Sequence, residues 1–449
     1  VAFTELLLKL TRGGGGGALL VPAGLIRSLN TQYLRKQLLT SSKDLTITVM
    51  NNKARHFAID TRFKFLLVKY TKAQKTENPC KSIDLSHAYS DQIEVLQASS
   101  VSLPISTLSK LRPDLTIPEV RTSAEWRLFK RMQEKGISTK SPDSPWHASM
   151  CREVDMTHGR SYFQKTPEPG CLPVIEGRMV QPHRIGCKAY VHGEGRRAVW
   201  ENSPPGCSLI RPQFWIPVSA LGRQIQGRTE RLRAGFCDIT GQTNERSMMA
   251  ALVPPGVVCG NKVPTIEFRN DQSEERILLW LSFVNSLPFD WLLRRLVTTT
   301  VNYFLLLSIK LPPLDIASLP AQRLIQIARE LVNLDSNEVA TFENCWRIAR
   351  LRAEADVLVA SAYRCTEVDL HLMLQDFPLL DRGQPPLKGE KSSTVTSDLL
   401  LQTWAQRKKI KNKQAEDRLS EASKCGAIPY LSSEFMQTLT NSMETAREQ

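Results

Sequence analysis

Residues 3–22 read F-T-E-L-L-L-K-L-T-R-G-G-G-G-G-A-L-L-V-P, and this stretch sets the opening of the fold. Its apolar spacing predicts a helix over 3–10, the five glycines at 13–17 stop it, and A-L-L-V-P at 18–22 predicts a short buried strand between breakers. A second helix is expected over 31–39, with Tyr33, Leu34 and Leu38 on one face. Two strands follow over 45–50 and 63–70, the second written F-K-F-L-L-V-K-Y. The order helix, strand, helix, strand, strand suits one half of an open, mostly parallel α/β sheet that finishes in an antiparallel hairpin. Half a sheet leaves an unpaired apolar edge, so residues 1–75 are not expected to be stable alone. From 71 to 118 periodicity is lost, apart from short apolar runs such as 93–96, and a connector is expected there.

The 449-residue chain carries a formal net charge of +14, and residues 1–75 hold 13 Lys/Arg against only Glu5, Asp44 and Asp60. Nucleic acid is the first partner such a balance implies. With 41% hydrophobic residues the chain can bury real cores, and its length suggests about two to three domains. The ten cysteines form no C-x-x-C pair and no His/Cys cluster at zinc spacing. Neither a disulfide framework nor a metal site is indicated, and a reducing, cytoplasmic setting is expected. The run Leu6-Leu7-Leu8 is cut by Lys9 and followed by glycines, unlike a signal peptide. The apolar stretch 301–309, expected as a buried strand, falls short of the roughly 20 residues of a membrane span, so no membrane role is expected.

Three runs near the N-terminus, the one quoted above, Y-L-R-K-Q-L-L from Tyr33, and H-F-A-I-D-T-R-F-K-F-L-L-V from His56, resemble the later part of the catalytic domain of adenine-specific DNA methyltransferases. The likeness is to the large type IIG restriction-modification and phage-defence enzymes. That family carries its cofactor loop and an N-P-P-[FY] motif upstream of this region. Neither occurs here: Asn78-Pro79-Cys80 lacks the second proline and the aromatic, and Asn202-Ser203-Pro204-Pro205 has the wrong order. The resemblance implies S-adenosylmethionine for the complete enzyme, none bound by this chain alone, and a missing N-terminal catalytic half as partner. Phe57 stands where family enzymes stack the flipped adenine; the residues alone favour a core phenylalanine at a hairpin, and the resemblance brings the two readings level.

A helix capped at Thr122-Ser123 is expected through Lys135, with Trp126, Phe129 and Met132 on one face. L-P-V-I-E-G-R-M-V-Q-P-H-R, from Leu172, resembles the segment that opens the family's target-recognition domain. Residues 176–246 then hold 11 Lys/Arg against six acids. For double-stranded DNA, Arg223, Arg228, Arg231 and Arg233 are the leading phosphate-gripping candidates, followed by Arg178, Arg184, Lys188, Arg196 and Arg197. A solvated charged face is the alternative for any one of them. F-C-D-I-T from Phe236 and T-N-E-R from Thr243 match the family's strand and corner. Asn244 and Arg246 carry the groups that contact adenine and guanine edges, but the expected role of the corner is structural: Asn244 steadying the turn and Glu245 pairing with Arg246.

One long helix is expected over 274–297, and helices over 319–334 and 341–362 suggest a bundle. L-R-A-E-A-D-V-L-V-A-S-A-Y from Leu351 resembles the family's closing helices. Past 386 the chain turns polar, with Arg407, Lys408, Lys409, Lys411 and Lys413 in one run, and a solvated basic tail is expected. The organisation is thus the end of a methyltransferase domain (1–75), a connector (76–120), a target-recognition domain (121–315) with a helical part (316–385), and a tail (386–449). The expected class is α/β: the second half of a Rossmann-like sheet, then an α+β recognition domain and C-terminal helices. The expected function is DNA recognition within a site-specific adenine methyltransferase, without methylation by this chain unaided. Two alternatives stay open: a non-enzymatic specificity subunit serving a separate catalytic chain, and RNA binding.

Overall fold

The computed structural model describes residues 2–89, 97–203, 210–242, 244–337, 341–431 and 439. The chain forms two compact units: residues 1–135, 292–299 and 304–310 make unit 1, and residues 136–291, 300–303 and 311–449 make unit 2. The class is α/β, with mixed sheets and C-terminal helices.

Unit 1 is built on five strands, β1 (Gly16–Pro22), β2 (Ser42–Asn51), β3 (Lys64–Lys72), β4 (Ser82–Ala88) and β5 (Ser100–Pro104), in the order β1-β3-β2-β4-β5. Helices Ala2–Leu10 and Gln32–Ser41 lie where the apolar spacing placed them. Strand direction differs from expectation. Only β2 and β4 pair in parallel, through Ile47 opposite Leu85, while β1–β3, β2–β3 and β4–β5 are antiparallel. The stretch expected as a connector contributes β4 and β5, because Ile83, Leu85, Val101 and Leu103 alternate inward and are buried. The strand expected to be buried at 18–22 is instead the sheet's edge, and Leu20 is 58% exposed. The apolar run 93–96 lies outside the described residues.

Unit 2 carries a four-stranded antiparallel sheet of β6 (Ala148–Cys151), β16 (Thr265–Phe268), β13 (Arg233–Phe236) and β14 (Ala250–Val253). A three-stranded sheet joins β7 (Cys171–Ile175), β12 (Trp215–Pro217) and β15 (Val258–Cys259). Two small hairpins, β8 (Val180–Gln181) with β9 (Arg184–Ile185) and β10 (Lys188–His192) with β11 (Val199–Asn202), complete the described strands. Helices Leu319–Asn337 and Phe342–Ala362 form as expected, the second capped by the Thr341 hydroxyl, which accepts from the Asn344 amide.

Three further expectations are corrected. The helix over 274–297 is two, Glu274–Val284 and Leu287–Arg294, broken where the Asn285 carboxamide exchanges hydrogen bonds of 2.9 Å with both backbone groups of Ala250. The strand expected over 301–309 is a helical turn, Tyr303–Leu306. The basic tail contains helices Val395–Arg407 and Lys413–Lys424, and Val395, Ala422, Ile428 and Leu431 share a core with Cys345 and Trp346. Its lysines masked an apolar stripe at Val395, Leu399, Leu400 and Trp404. Among the described residues no helix is long and apolar enough to cross a membrane.

Candidate nucleic-acid interface

The arginine-rich stretch forms a short helix, Arg223–Thr229, followed by β13, and its arginines divide by depth. Arg233 is fully buried and clamps Glu153 with two bonds, Nε to Oε1 at 2.6 Å and Nη2 to Oε2 at 2.9 Å. Glu153 also accepts from the Cys259 amide and the Thr265 hydroxyl, each at 2.8 Å. Arg228, also buried, pairs with Glu267 and donates to the Thr265 hydroxyl at 2.9 Å. Glu267 accepts a second arginine, Arg231, at 3.1 Å, and that side chain is 60% exposed. Withdrawing a buried guanidinium towards a phosphate would strand its carboxylate without solvent, at a cost of several kcal/mol. Arg228 and Arg233 therefore hold the sheet together, which corrects the expectation that they grip DNA.

Arg184 and Arg246 are corrected as well, since both are engaged inside the protein. Arg184 is buried and donates to the Ser203 carbonyl at 2.8 Å. Arg246 pairs with the buried Asp290 at 2.9 Å and donates to the Asn285 carbonyl. The expected partner of Arg246 was Glu245; the structure supplies Asp290, which also accepts from the Ser247 amide. Asn244 is exposed, and its backbone N–H closes a turn on Gly241 at 3.2 Å. Thr243 and the Arg196 side chain lie outside the described residues.

Arg197, Arg223 and Arg231 remain exposed, and Lys188 is half-buried on β10. Arg178 follows the Glu176-Gly177 turn, half-exposed, with its guanidinium 4.9 Å from the centre of the Trp200 ring. The packing around Gly177 is tight: a Cβ would lie 3.2 Å from Cys237 Sγ and 3.3 Å from the Lys262 carbonyl. The turn thus runs close against Lys262.

Sequence reasoning missed the group at Lys262. Asp238 is fully buried just past β13, and its Oδ2 accepts from Arg152 Nη2 at 2.9 Å. Among the described residues its Oδ1 has no hydrogen-bond partner, and it lies 3.9 Å from Lys262 Nζ. Both cations are about half exposed, and Arg152 lies over the Tyr303 ring, 5.5 Å from its centre. Burial pushes the Asp238 carboxyl up, while Lys262 and Arg152 oppose that shift. The one signal in the sequence was an aspartate inside the apolar alternation of F-C-D-I-T.

No family model matches the chain, and no curated protein matches it. Among solved structures, the type IIG restriction endonuclease BpuSI is similar at 12% identity over 84% of this chain and 49% of its own, with a TM-score of 0.32. The type IIL restriction-modification enzyme MmeI, in complex with DNA, is similar at 8% identity over 84% of this chain and 51% of its own, with a TM-score of 0.44. The ATP-dependent type ISP restriction-modification enzyme LlaBIII, bound to DNA, is similar at 10% identity over 74% of this chain and 26% of its own, with a TM-score of 0.34. The chain spans about half the length of the first two.

In unit 1, Phe57 is 40% exposed on the loop between β2 and β3. It packs edge-on against Phe65, ring centres 4.9 Å apart. The Asn52 side chain fixes this loop, donating to the Phe57 and Ile59 carbonyls at 2.9 and 3.1 Å and accepting from the Phe57 amide at 3.0 Å. The ring is reachable and its backbone is held. S-adenosylmethionine does not fit the glycine run that leads into β1. A Cβ at Gly17 would lie 2.6 Å from the Tyr70 ring, and Gly13 and Gly14 face Gln74, so the run is packed against β3 and the turn after it rather than open as a cradle.

A cavity of about 70 Å³ in unit 2 is lined by His183, Arg246, Arg352, Asp356 and Tyr430, among others. The Asp356 carboxyl accepts from the Leu287 amide and the Tyr430 hydroxyl, each at 2.7 Å. Burial raises it to about 6, and burial depresses His183 to about 3.

Proposed function

We propose that this chain binds double-stranded DNA through unit 2, as the target-recognition part of a site-specific adenine-N6 methyltransferase of a restriction-modification or phage-defence system. The observation that carries the reading is the set of cations on unit 2 left exposed after the buried arginines have found acids: Arg178 on Trp200, Arg152 and Lys262 on Asp238, with Arg197, Arg223 and Arg231. Fixed cations of this kind meet phosphates and base edges at little cost in side-chain order. The order of the resembling segments along the chain gives the reaction class.

S-adenosylmethionine and the adenine-holding motif belong to a separate catalytic half, and Phe57 is the ring this chain contributes to the extruded base. Unit 1 supports the existence of that half. β1 leaves the sheet edge free among the described residues, and Phe3, Leu6, Leu10 and Leu20 are exposed beside it. Anisotropy titrations with mixed-sequence duplex should show binding that weakens steeply with salt, and structured RNA should compete poorly. A labelled-cofactor methyl-transfer assay on the chain alone should show no turnover. RNA outcompeting duplex would replace the first statement, and clear turnover would remove the second.

A further inference from the structure

We infer that Arg152 is a sequence-reading residue, presented to a guanine edge by Asp238 and Tyr303, with Lys262 gripping the adjoining backbone. This rests on the DNA-binding reading of unit 2. Two arginine–carboxylate pairs in this unit can be compared directly. Arg233 meets Glu153 with two N–H groups and none of its side chain is exposed. Arg152 gives Asp238 a single N–H, and 43% of its side chain stays exposed. Neutralising a buried carboxylate alone would favour the first arrangement, which gains a second charge-assisted bond. The second arrangement keeps guanidinium N–H groups available to a ligand.

The holder is rigid. The Asp238 amide donates to the Lys262 carbonyl at 3.1 Å, and its own carbonyl accepts from the Val301 amide at 2.8 Å. The face of Tyr303 limits the plane the guanidinium can adopt. A planar guanidinium fixed at one corner and held over one aromatic ring suits paired donation to guanine O6 and N7. Lys262 carries a point charge that cannot make that paired contact, and phosphate is its natural ligand. Asp238 Oδ1, buried without a hydrogen-bond donor, keeps a negative charge between the two cations and prevents them from repelling each other out of position. Asp238 is thus a positioning residue.

Selection of a random duplex library by the full chain tests this. The wild type should recover a motif containing one guanine whose preference falls roughly ten- to hundredfold in Arg152→Ala. Arg152→Lys should lose the same preference while keeping its overall affinity and salt dependence, which mere loss of charge would not produce. Asp238→Asn should blur that position too, whereas Lys262→Ala should weaken all sequences alike. Thermal melting of the Arg152 variants near that of the wild type would show that they fold. Recovery of the unchanged motif by both Arg152 variants overturns the inference. So does a wild type that binds duplex without selecting any motif, and this leaves the DNA-binding reading standing. A wild type that does not bind duplex overturns that reading and this inference together.

Discussion

Arginine in this chain does two opposite jobs, and depth decides which. At Arg233 the guanidinium is fully buried and completes the bonding of Glu153. Arg233→Ala should therefore cost about 3–5 kcal/mol, because it leaves a carboxylate buried and unpaired. Urea titration would read that loss directly. Arg223 lies on an exposed helix turn ten residues earlier. Arg223→Ala should leave stability within about 0.5 kcal/mol. If this residue neutralises a phosphate, the same variant should reduce the log–log salt slope of DNA binding by about 0.9. The two variants remove the same charge, so a comparable effect of both on stability would contradict the assignment by depth.

At the scale of elements, legibility followed the range of the interaction. Leu324, Ile327, Ala328 and Leu331 repeat at helical spacing within twenty residues, and the helix they announce is present. Asn285 breaks a helix by bonding Ala250, 35 residues away, and no local pattern announces that. The acid that claims Arg233 lies 80 residues before it, which is why a basic surface seemed to extend across the whole stretch. The tail likewise showed its lysines and hid Val395, Ala422, Ile428 and Leu431, which share a core with Trp346. One consequence concerns Tyr430, whose hydroxyl fastens the segment after the last described helix to Asp356 on helix Phe342–Ala362. Burial raises Asp356 to about 6, above the usual value of about 3.9, so the folded state holds its proton more tightly than the unfolded chain. Its contribution to stability is full below about pH 4 and is lost as pH rises through 6. His183, lining the same cavity and depressed to about 3, acts in the opposite sense: its contribution is present above about pH 6.5 and lost as pH falls. Comparing Asp356→Asn with the wild type isolates the carboxyl. Between pH 4 and pH 7 the difference should shift by roughly 2–3 kcal/mol in favour of the variant. A difference independent of pH would show that Asp356 titrates normally.

The whole molecule combines a net charge of +14 with an apolar surface on unit 1, and salt acts on these two properties in opposite directions. Phe3 is 83% exposed, Leu10 74% and Leu20 58%, on a helix and an edge strand that share one sheet unit. The cations nearby, Lys9, Arg12 and Lys69, are exposed as well. At low ionic strength the Debye length is about 30 Å at 0.01 M, so like-charged copies repel before their apolar surfaces meet. Near 1 M it is about 3 Å, and that barrier is gone while hydrophobic attraction remains. Salt should then release DNA, through the return of counterions to its phosphates, and promote self-association of the released protein. Sedimentation velocity at 0.05 and 0.5 M salt would show a monomer giving way to larger species. Phe3→Ser combined with Leu10→Ser should suppress that growth without changing the salt dependence of DNA binding, because it removes no charge and alters unit 1 rather than the cations of unit 2. Growth that persists in the double variant would place the association elsewhere on the molecule.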